Sequence, residues 1–386
     1  MQFQYSDEEK MIRETAERLA SDRLEPNAQK LDRGEGREEL LGNLKALADQ
    51  GFMGLNIDAE HGGTQAGAVA FALSVEAFAA ACASTAVTVS VTNMVGEVIQ
   101  SVGSADQKQA YLPPLCDGTF PAAAFCLTES GAGSDPAGMA LSARMDGNEW
   151  VLNGAKIYIS SAEYAGLFVV WAVTDPHAPK GKGISCFLVE AGTPGMNIGP
   201  AERKMGQTGS ATSSVQFDDC RIPADALMGK ENDGYRIAVA ELTGGRIGVS
   251  ALALGIARAA MHCAKAYVSE RRQFDQRIAD MQGIQWMIAD RETELEAARL
   301  LMLQAAHLKD QGADFRKAAS MAKLYASEAA QRATYSAIQL HGGAGYISDY
   351  GVERLARDAR ITTIYEGTSE IQRMIIAREV LKEYAG

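Results

Sequence analysis

The chain has 386 residues, of which 47% are hydrophobic, and a formal net charge of −12 at pH 7. This length favours two or three domains, and the hydrophobic content is typical of a globular protein with a substantial core. The acidic balance argues against nucleic acid as the main partner. The 6 cysteines form no C-x-x-C pair, which indicates reduced thiols in a cytoplasmic compartment rather than a disulfide framework.

The N-terminal segment gives no sign of targeting to a membrane. Residues 1–10 are polar and acidic, unlike a signal or transit peptide. Residues 77–91 are uncharged but rich in Ala, Ser and Thr, which favours a buried helix over a membrane span. We therefore expect a soluble, cytoplasmic protein without a membrane partner.

Residues 1–121 are predicted to form an all-α domain. Ser6 begins a capping box with Glu9, which indicates the start of a helix. Residues 71–83 and 86–101 are apolar nearly all round, as expected of central helices. Ser104 is a good cap for a further helix, which we expect to end before the two prolines at 113 and 114.

Residues 122–230 are predicted to form a central antiparallel β domain, either sandwich-like or barrel-like. Apolar residues occur there in short runs broken by Gly, Asn and Asp. Asn153-Gly154 lies between two such runs and predicts a hairpin with a type I′ turn. Further strands are expected at residues 167–173, 184–189 and 214–217.

Residues 231–386 are predicted to form a C-terminal domain of long helices. Residues 247–270, 281–311 and 317–340 each carry an apolar stripe at helical spacing. They predict an antiparallel four-helix bundle. The chain as a whole is therefore an α+β multidomain protein in the order helices, strands, helices.

One carboxylate near the C-terminus has the surroundings of a general base. Glu366 lies between Tyr365 and Gly367, and Thr368 is a good N-cap for the helix that follows. Apolar walls from Ile364 and Tyr365 would desolvate this carboxylate and raise its pKa. By itself, the pattern also fits an ordinary loop glutamate beside a helix cap.

A second stretch, residues 125–135, leaves a strand and enters a loop of small residues. Small residues let backbone N–H groups approach a bulky ligand, and Thr128 and Ser134 add hydroxyl groups. The stretch is not a Rossmann fingerprint because it lacks the third glycine and a βαβ unit. The sequence also contains no Walker A motif.

Taken together, these stretches resemble the acyl-CoA dehydrogenase family, over essentially the whole chain. One signature matches residues 126–135, and a second runs from 339–345 through Arg357-Asp358 to 365–368. Residues 271–274 fit an Arg-x-x-Phe segment. Residues 181–186 and 244–247 resemble the short and branched-chain branch, isobutyryl-CoA dehydrogenase in particular.

The resemblance implies an FAD site that a neighbouring subunit completes, and hence a homotetramer built as a dimer of dimers. It also implies an electron-transfer flavoprotein as the electron acceptor. Tyr158 and Ser160 stand where many members have Trp and Thr. The residues assigned to FAD by the resemblance are Phe125, Leu127, Thr128, Gly133, Ser134, Tyr158, Ile159, Ser160, Arg271, Gln273, Phe274, Met281, Gln282, Gln339, Gly342, Gly343, Thr368 and Glu370.

The reaction implied by the resemblance is α,β-dehydrogenation of an acyl-CoA to the trans-2-enoyl-CoA. Glu366 would take the α-proton, and its own backbone N–H would help to stabilise the thioester oxygen. Gly245 occupies the other position at which this family can place its base, so it leaves Glu366 without a competitor. The residues assigned to the substrate are Ser134, Thr243, Gly245, Arg246, Tyr365 and Gly367.

A helical wall around Thr88, Val91 and Thr92 is expected to close the acyl pocket and to favour a short or methyl-branched acyl group. Three alternatives remain open from the sequence. The first is an acyl-CoA oxidase on the same fold, and the second is a flavin-containing relative that binds nucleic acid. The third is a carboxylate–metal bundle, but no histidine has a glutamate three residues before it, and we expect no metal.

Overall fold

The computed structural model describes residues 5–382 and residue 384. Residues 1–4, 383, 385 and 386, which the sequence assigns to the N- and C-terminal domains, lie outside the described residues. The chain begins with helices, which a π-helical turn at Ala20–Leu24 interrupts. These helices are α1 Asp7–Leu19, α2 Glu25–Asp32, α3 Arg37–Ala48, α4 Gly67–Ala81, α5 Ala83–Val102 and α6 Ala105–Cys116.

The capping box at the start of α1 is confirmed. The Glu9 N–H donates to Ser6 Oγ at 3.1 Å, and the Ser6 N–H donates to Glu9 Oε2 at 2.6 Å. The predicted end of α6 was wrong, because the helix continues through Pro113 and Pro114. Both prolines lie in its last turn, where the Asp117 N–H still donates to Pro113 O at 3.0 Å. Two missing donors so close to a helix end do not stop the helix.

The strands that follow form one sheet in the order β6-β7-β3-β2-β4-β5-β8, with β1 paired to β4. Most neighbours are antiparallel, but β1 runs parallel to β4, so the sheet is mixed rather than purely antiparallel. The strands are β1 Ala123–Cys126, β2 Ser142–Asp146, β3 Glu149–Ser160, β4 Leu167–Val173, β5 Ile184–Glu190, β6 Met196–Ile198, β7 Thr212–Pro223 and β8 Leu227–Met228.

The hairpin predicted at Asn153-Gly154 was wrong. β3 runs unbroken through both residues, and the turn lies instead between Asp146 and Glu149, which pair with each other. The register with β7 shifts between Leu152 and Gly154, which marks a β-bulge. The Asn153 side chain supports this bulge, because its Oδ1 accepts from the N–H of Asp219 at 2.9 Å. Gly154 has a φ of +136°, so the glycine serves the bulge rather than a turn.

The C-terminal helices pack into a bundle in which α9 contacts α7, α8 and α12, and α4 also packs against α7. Helix α7 is long and apolar enough to span a membrane by length and composition alone, but 78% of its apolar window is buried inside the fold. Two-residue strands β9 Arg272–Gln273 and β10 Gln276–Arg277 form a small hairpin. The helices are α7 Gly234–Glu270, α8 Gln282–Asp310, α9 Arg316–His341, α10 Gly343–Tyr346, α11 Val352–Arg360 and α12 Ser369–Lys382.

The α+β fold class predicted from the sequence is confirmed. A large apolar core extends from the N-terminal helices into the C-terminal bundle. Two further cores cover the two faces of the sheet. The loop that carries Glu366 joins the 3₁₀ turn Ile361–Thr363 to α12.

Candidate active site

Glu366 and Gly367 both have left-handed backbone conformations, with φ of +53° and +90°. A non-glycine residue seldom adopts this conformation and needs support from its surroundings. Lys323 Nζ donates to Gly367 O at 2.8 Å, and Gln372 Nε2 donates to Gly367 O at 3.0 Å and to Glu366 O at 3.2 Å. The turn around the predicted base is therefore fixed by side chains from α9 and α12.

Helix α12 begins directly after this turn. Thr368 Oγ1 accepts from the N–H of Ile371 at 3.4 Å, and Thr368 O accepts from the N–H of Gln372 at 2.9 Å. Thr368 is therefore the N-cap of α12, as predicted from the sequence. Together the cap and the left-handed turn fix the direction in which the Glu366 side chain leaves the backbone.

The Glu366 carboxylate points at helix α7. A methyl group at Gly245 would overlap Glu366 Oε2, and it would lie 2.8 Å from Met94 Sδ. Oε2 is buried and has no hydrogen-bond partner. Burial raises the pKa of Glu366 to about 7, although Lys323 and Arg246 act to lower it. A carboxyl group with such a pKa is a suitable general base near neutral pH.

The apolar walls differ from the prediction. Tyr365 packs against the core, and burial raises the pKa of its hydroxyl group. The prediction that Ile364 forms an apolar wall beside Glu366 was wrong, since 46% of the Ile364 surface is exposed. Desolvation of Glu366 therefore comes from Tyr365 and from α7.

Two buried cations stand near the carboxylate. Lys323 is fully buried on α9, and burial lowers its pKa to about 8. Arg246 is 6% exposed, its Nη1 donates to Ser320 Oγ at 3.3 Å, and its Nε has no partner. Burial lowers the pKa of Arg246 to about 10. We predicted Arg246 near the base but missed Lys323, whose only signal was a lysine in a helix rich in alanine.

The predicted substrate residues fall into two places. Thr243, Gly245 and Arg246 are buried on α7, and Tyr365 and Gly367 flank the base on its loop. Ser134 lies apart from them and is exposed on the loop after β1.

The helix predicted to close the acyl pocket is α5, which carries Thr88, Val91 and Thr92. The Thr88 hydroxyl group lies 3.2 Å from Tyr164 Oη, and Thr92 Oγ1 accepts from the N–H of Ala123 at 3.2 Å. Both threonines therefore bond to other parts of the fold. The side chains of α5 that face α7 beside the base are Met94 and Ser90. Met94 Sδ would lie 2.8 Å from a methyl group at Gly245, and Ser90 Oγ would overlap a methyl group at Gly248.

The loop between β1 and β2 is anchored by a buried ion pair. Lys156 Nζ lies 2.7 Å from Glu129 Oε1 and donates to Leu127 O at 3.1 Å. Glu129 also accepts from the N–H groups of Ala140 and Leu141 at 2.6 and 3.0 Å. This anchor fixes both ends of the small-residue loop predicted to hold the flavin.

The first set of predicted cofactor residues comes together around this loop. The N–H of Ile157 donates to Thr128 O at 2.9 Å, which places β3 beside the loop. Tyr158 has a φ of +57° and is 65% exposed, so its ring stands out from the sheet. Ile159 is buried in the core of the sheet, so its side chain points away from this surface. Phe125 packs against Trp171 with ring centroids 4.3 Å apart and an interplanar angle of 44°.

The second set lies on the surface of the C-terminal bundle. Tyr267 and His341 stack with ring centroids 4.6 Å apart, which brings the β9–β10 hairpin next to the turn after α9. The hairpin carries Phe274, which is 87% exposed. The other predicted cofactor residues in these two segments are Arg271, Gln273, Met281, Gln282, Gln339, Gly342 and Gly343.

Thr368 and Glu370 line a third surface. They border a polar cleft of about 360 Å3, which Arg360 and Thr363 also line. Arg360, Thr363 and Thr368 carry donors that suit phosphate groups, and the exposed aromatic rings suit an aromatic ligand. A side chain would meet nothing at Gly131 or Gly133, so a ligand can approach the backbone of that loop. Among the described residues no cluster of three or more His, Cys, Asp or Glu could hold a metal ion.

Comparison with known proteins gives three consecutive matches. The N-terminal, middle and C-terminal domains of acyl-CoA dehydrogenases match residues 6–119, 124–220 and 232–381. A relative described as acryloyl-CoA reductase (NADH) from Anaerotignum propionicum is 45% identical over 99% of this chain and 96% of its own. The mitochondrial short/branched chain specific acyl-CoA dehydrogenase of Rattus norvegicus is 41% identical over 98% of this chain and 87% of its own. The solved structure of butyryl-CoA dehydrogenase from Megasphaera elsdenii superposes with a TM-score of 0.95 at 36% identity and covers 99% of this chain and 100% of that one.

Proposed function

The chain belongs to the acyl-CoA dehydrogenase family and is an FAD-dependent oxidoreductase that acts on acyl-CoA, and we propose that its substrate is a short or methyl-branched acyl-CoA. The product is the trans-2-enoyl-CoA, and Glu366 is the base. The observation that carries this proposal is the buried, unpartnered Oε2 of Glu366.

Glu366 takes the α-proton of the acyl group. Its pKa of about 7, raised by burial, means that the carboxylate is ionised in slightly alkaline solution and is a stronger base than an exposed glutamate. Its Oε2 has no competing donor to displace. Bound FAD supplies the acceptor for the hydride that leaves the β-carbon.

The backbone N–H of Glu366 stabilises the thioester oxygen while the α-proton leaves. No acceptor within the described part of the chain takes this N–H. The left-handed turn, held by Lys323 and Gln372, fixes its direction. A pre-positioned donor of this kind lowers the barrier because it needs no reorganisation during the reaction.

Flavin binding uses the two surfaces described above. Thr128, Ser134 and Tyr158 hold the ring side, and Arg271 and Gln273 hold the phosphates of a flavin shared with a neighbouring subunit. A flavin site shared in this way requires at least a dimer, and we propose a homotetramer built as a dimer of dimers. Light scattering of the purified protein tests the subunit count.

The preference for a short acyl group rests on the contacts of α4 and α5 with α7. Ser90 Oγ lies against Gly248, and Phe71 Cε1 lies 3.4 Å from the position of a Gly248 methyl group. Met94 occupies the space beside Gly245. These side chains leave little room for a long alkyl chain, and isobutyryl-CoA and butyryl-CoA are the substrates we expect.

Anaerobic bleaching of the flavin by a panel of acyl-CoA thioesters tests this proposal. Butyryl-CoA and isobutyryl-CoA should bleach the flavin fastest. Each methylene that fits a pocket contributes about 0.8 kcal/mol, so fastest bleaching by chains beyond about eight carbons would contradict the short pocket. Electrons should then pass to an electron-transfer flavoprotein, whereas rapid peroxide formation in air would indicate an oxidase.

A second candidate is the reverse reaction, reduction of a short enoyl-CoA. The acryloyl-CoA reductase relative is the observation that favours it. The same residues suffice, because a carboxyl group with a pKa of about 7 can return a proton to the α-carbon as well as take it. Reoxidation of the dithionite-reduced enzyme by acryloyl-CoA, compared with crotonyl-CoA, measures this activity.

A further inference from the structure

Lys323 is a buried lysine whose hydrogen-bond partner is a backbone carbonyl rather than a carboxylate. Its side chain is fully buried on α9, and its Nζ donates to Gly367 O at 2.8 Å. Burying an ammonium group is costly unless an opposite charge compensates for it. A methionine of similar length would fill the same space without that cost, so the charge points to a use beyond packing.

The hydrogen bond to Gly367 O does not by itself require a lysine. Gln372 is also fully buried, and its Nε2 donates to the same oxygen at 3.0 Å and to Glu366 O at 3.2 Å. The Gly367 carbonyl would therefore keep a donor without Lys323. What Lys323 alone supplies at this oxygen is a positive charge.

The acidic groups around Lys323 differ in whether they have another cation as a partner. Burial lowers the pKa of Lys323 to about 8, whereas Glu366, and after it Glu328 and Glu370, raise it. Glu328 and Glu370 lie 3.6 and 4.0 Å from Arg373 at the surface of the bundle. The charge of Lys323 is therefore directed mainly at Glu366, on the residue directly before the carbonyl that it contacts.

Arg246 is the second cation that acts on the base. Its Nη1 donates to Ser320 Oγ at 3.3 Å, and Ser320 precedes Lys323 by three residues on α9, so the two share one face of that helix. Burial, and Glu366 in addition, raise the pKa of Glu241 on α7 and of the hydroxyl group of the adjacent Tyr365. Neither of these acidic groups adds a positive charge.

We propose that Lys323 is a positioning residue whose positive charge sets the pH at which Glu366 works as a base. This inference rests on the proposed function. The ammonium group, held at Gly367 O beside the base, stabilises the ionised carboxylate and so keeps it able to accept the α-proton near neutral pH. In agreement with this role, burial raises the pKa of Glu366, and Lys323 comes first among the groups that lower it.

The test is the pH profile of anaerobic flavin bleaching by butyryl-CoA in the FAD-loaded protein as purified, from pH 5.5 to 10. K323M removes the charge and should move the midpoint of the profile upward by about one pH unit or more. K323Q keeps a donor for Gly367 O but has no charge, so it should move the midpoint in the same direction. K323R keeps the charge and should have a midpoint within about half a pH unit of wild type.

Q372M is the matched control, because it removes a hydrogen bond to the same carbonyl without changing any charge. It should lower the rate at the plateau and leave the midpoint where it is in wild type. A wild-type midpoint in K323M and K323Q overturns the inference, and K323Q alone decides if K323M does not fold. An equal shift in Q372M also overturns it, since the role of Lys323 would then be structural.

A comparison without substrate separates this inference from the proposed function. The free energy of unfolding that E366Q gains at pH 8 should be larger in the K323M background than with Lys323 in place, because the carboxylate then carries a larger penalty for ionising. Urea unfolding of the four proteins measures both gains. Equal gains would overturn the inference whether or not acyl-CoA bleaches the flavin, whereas absence of bleaching in wild type would contradict the proposed function.

Discussion

At the scale of single residues, the site depends on a glutamate held in an unfavourable environment. The Glu366 backbone is left-handed, its carboxylate is desolvated, and two buried cations stand nearby. The left-handed backbone and the desolvation are both unfavourable, and only the two cations favour the ionised carboxylate. Unfavourable conditions of this kind are typical of groups kept for chemistry rather than for stability.

The pKa of Glu366 makes the reaction depend on pH. Because the base works only when ionised and its pKa is about 7, the rate of flavin reduction in the enzyme–substrate mixture should rise tenfold per pH unit below 7 and level off above it. Stopped-flow bleaching from pH 5.5 to 9 measures this. A flat profile over that range would contradict the assignment.

The same shift predicts a gain in stability for E366Q. Folding raises the pKa of Glu366 from 4.5 to about 7, so the unfolded chain ionises first and the folded state loses relative stability as pH rises from 4.5 through 7. A neutral glutamine avoids that penalty. The free energy of unfolding of E366Q at pH 8 should therefore exceed that of wild type by about 1–3 kcal/mol. Urea unfolding at pH 8 and pH 5 measures the gap, which should fall to about a quarter of its pH 8 value at pH 5.

Gly245 is the most sensitive neighbour of the base. A methyl group in G245A would overlap Glu366 Oε2, and a displacement of about 1 Å in a catalytic group lowers rates on the order of 100-fold. We expect flavin reduction to slow by 10- to 100-fold with FAD still bound. G42A is the control, since a methyl group there meets nothing within 4 Å. Equal rates in G245A and wild type would show that the carboxylate does not need this position.

At the scale of elements, one buried ion pair connects β3 to the loop after β1. Glu129 satisfies two backbone N–H groups of that loop as well as Lys156. The backbone of the loop proposed to hold the flavin therefore keeps its shape through a side chain on a neighbouring strand.

Breaking this pair should loosen the loop. E129Q leaves Lys156 buried without its charge partner, and removal of one partner of a buried pair typically destabilises a protein by about 3–5 kcal/mol. We expect a lower ratio of FAD to protein after gel filtration and a lower urea midpoint. D135N, which breaks the exposed Asp135–Lys180 pair on the same loop, should change neither quantity by much. Unchanged flavin content in E129Q would contradict the role of the pair.

Structural features that depend on residues close in sequence were predicted well, and features that depend on contacts between distant segments were not. The capping box at Ser6 and the cap at Thr368 involve residues within one turn, so the pattern alone identifies them. The Asn153-Gly154 bulge depends on Asp219 in another strand, whereas the Asn-Gly pair by itself indicates only the general preference of these residues for turns. The left-handed Glu366 depends on Lys323 in another helix, and no short pattern reports that contact.

At the scale of the whole molecule, all three regions meet beside the base loop. Arg357 on α11 pairs with Asp32 on α2 and donates to Met205 O in the β region at 3.2 Å. The neighbouring Asp358 accepts the N–H of Gln207, whose amide lies 3.4 Å from Tyr365 Oη. The position of the base is thus coupled to the packing of the regions.

R357A should weaken that coupling. It removes the partner of a largely buried Asp32, so we expect a loss of about 2–4 kcal/mol in the free energy of unfolding and slower flavin reduction. R203A, at an exposed arginine on the same loop as Met205, is the control. Thermal unfolding that matches wild type in R357A would show that the three regions hold together without this residue.

The most direct test of the account is the rate of anaerobic flavin bleaching by butyryl-CoA or isobutyryl-CoA in wild type and E366Q. Glutamine keeps the shape of the side chain but cannot take the α-proton, so the rate should fall by about 10²- to 10⁴-fold while both proteins bind FAD and acyl-CoA. A rate in E366Q within about threefold of wild type would contradict the central claim that Glu366 is the base.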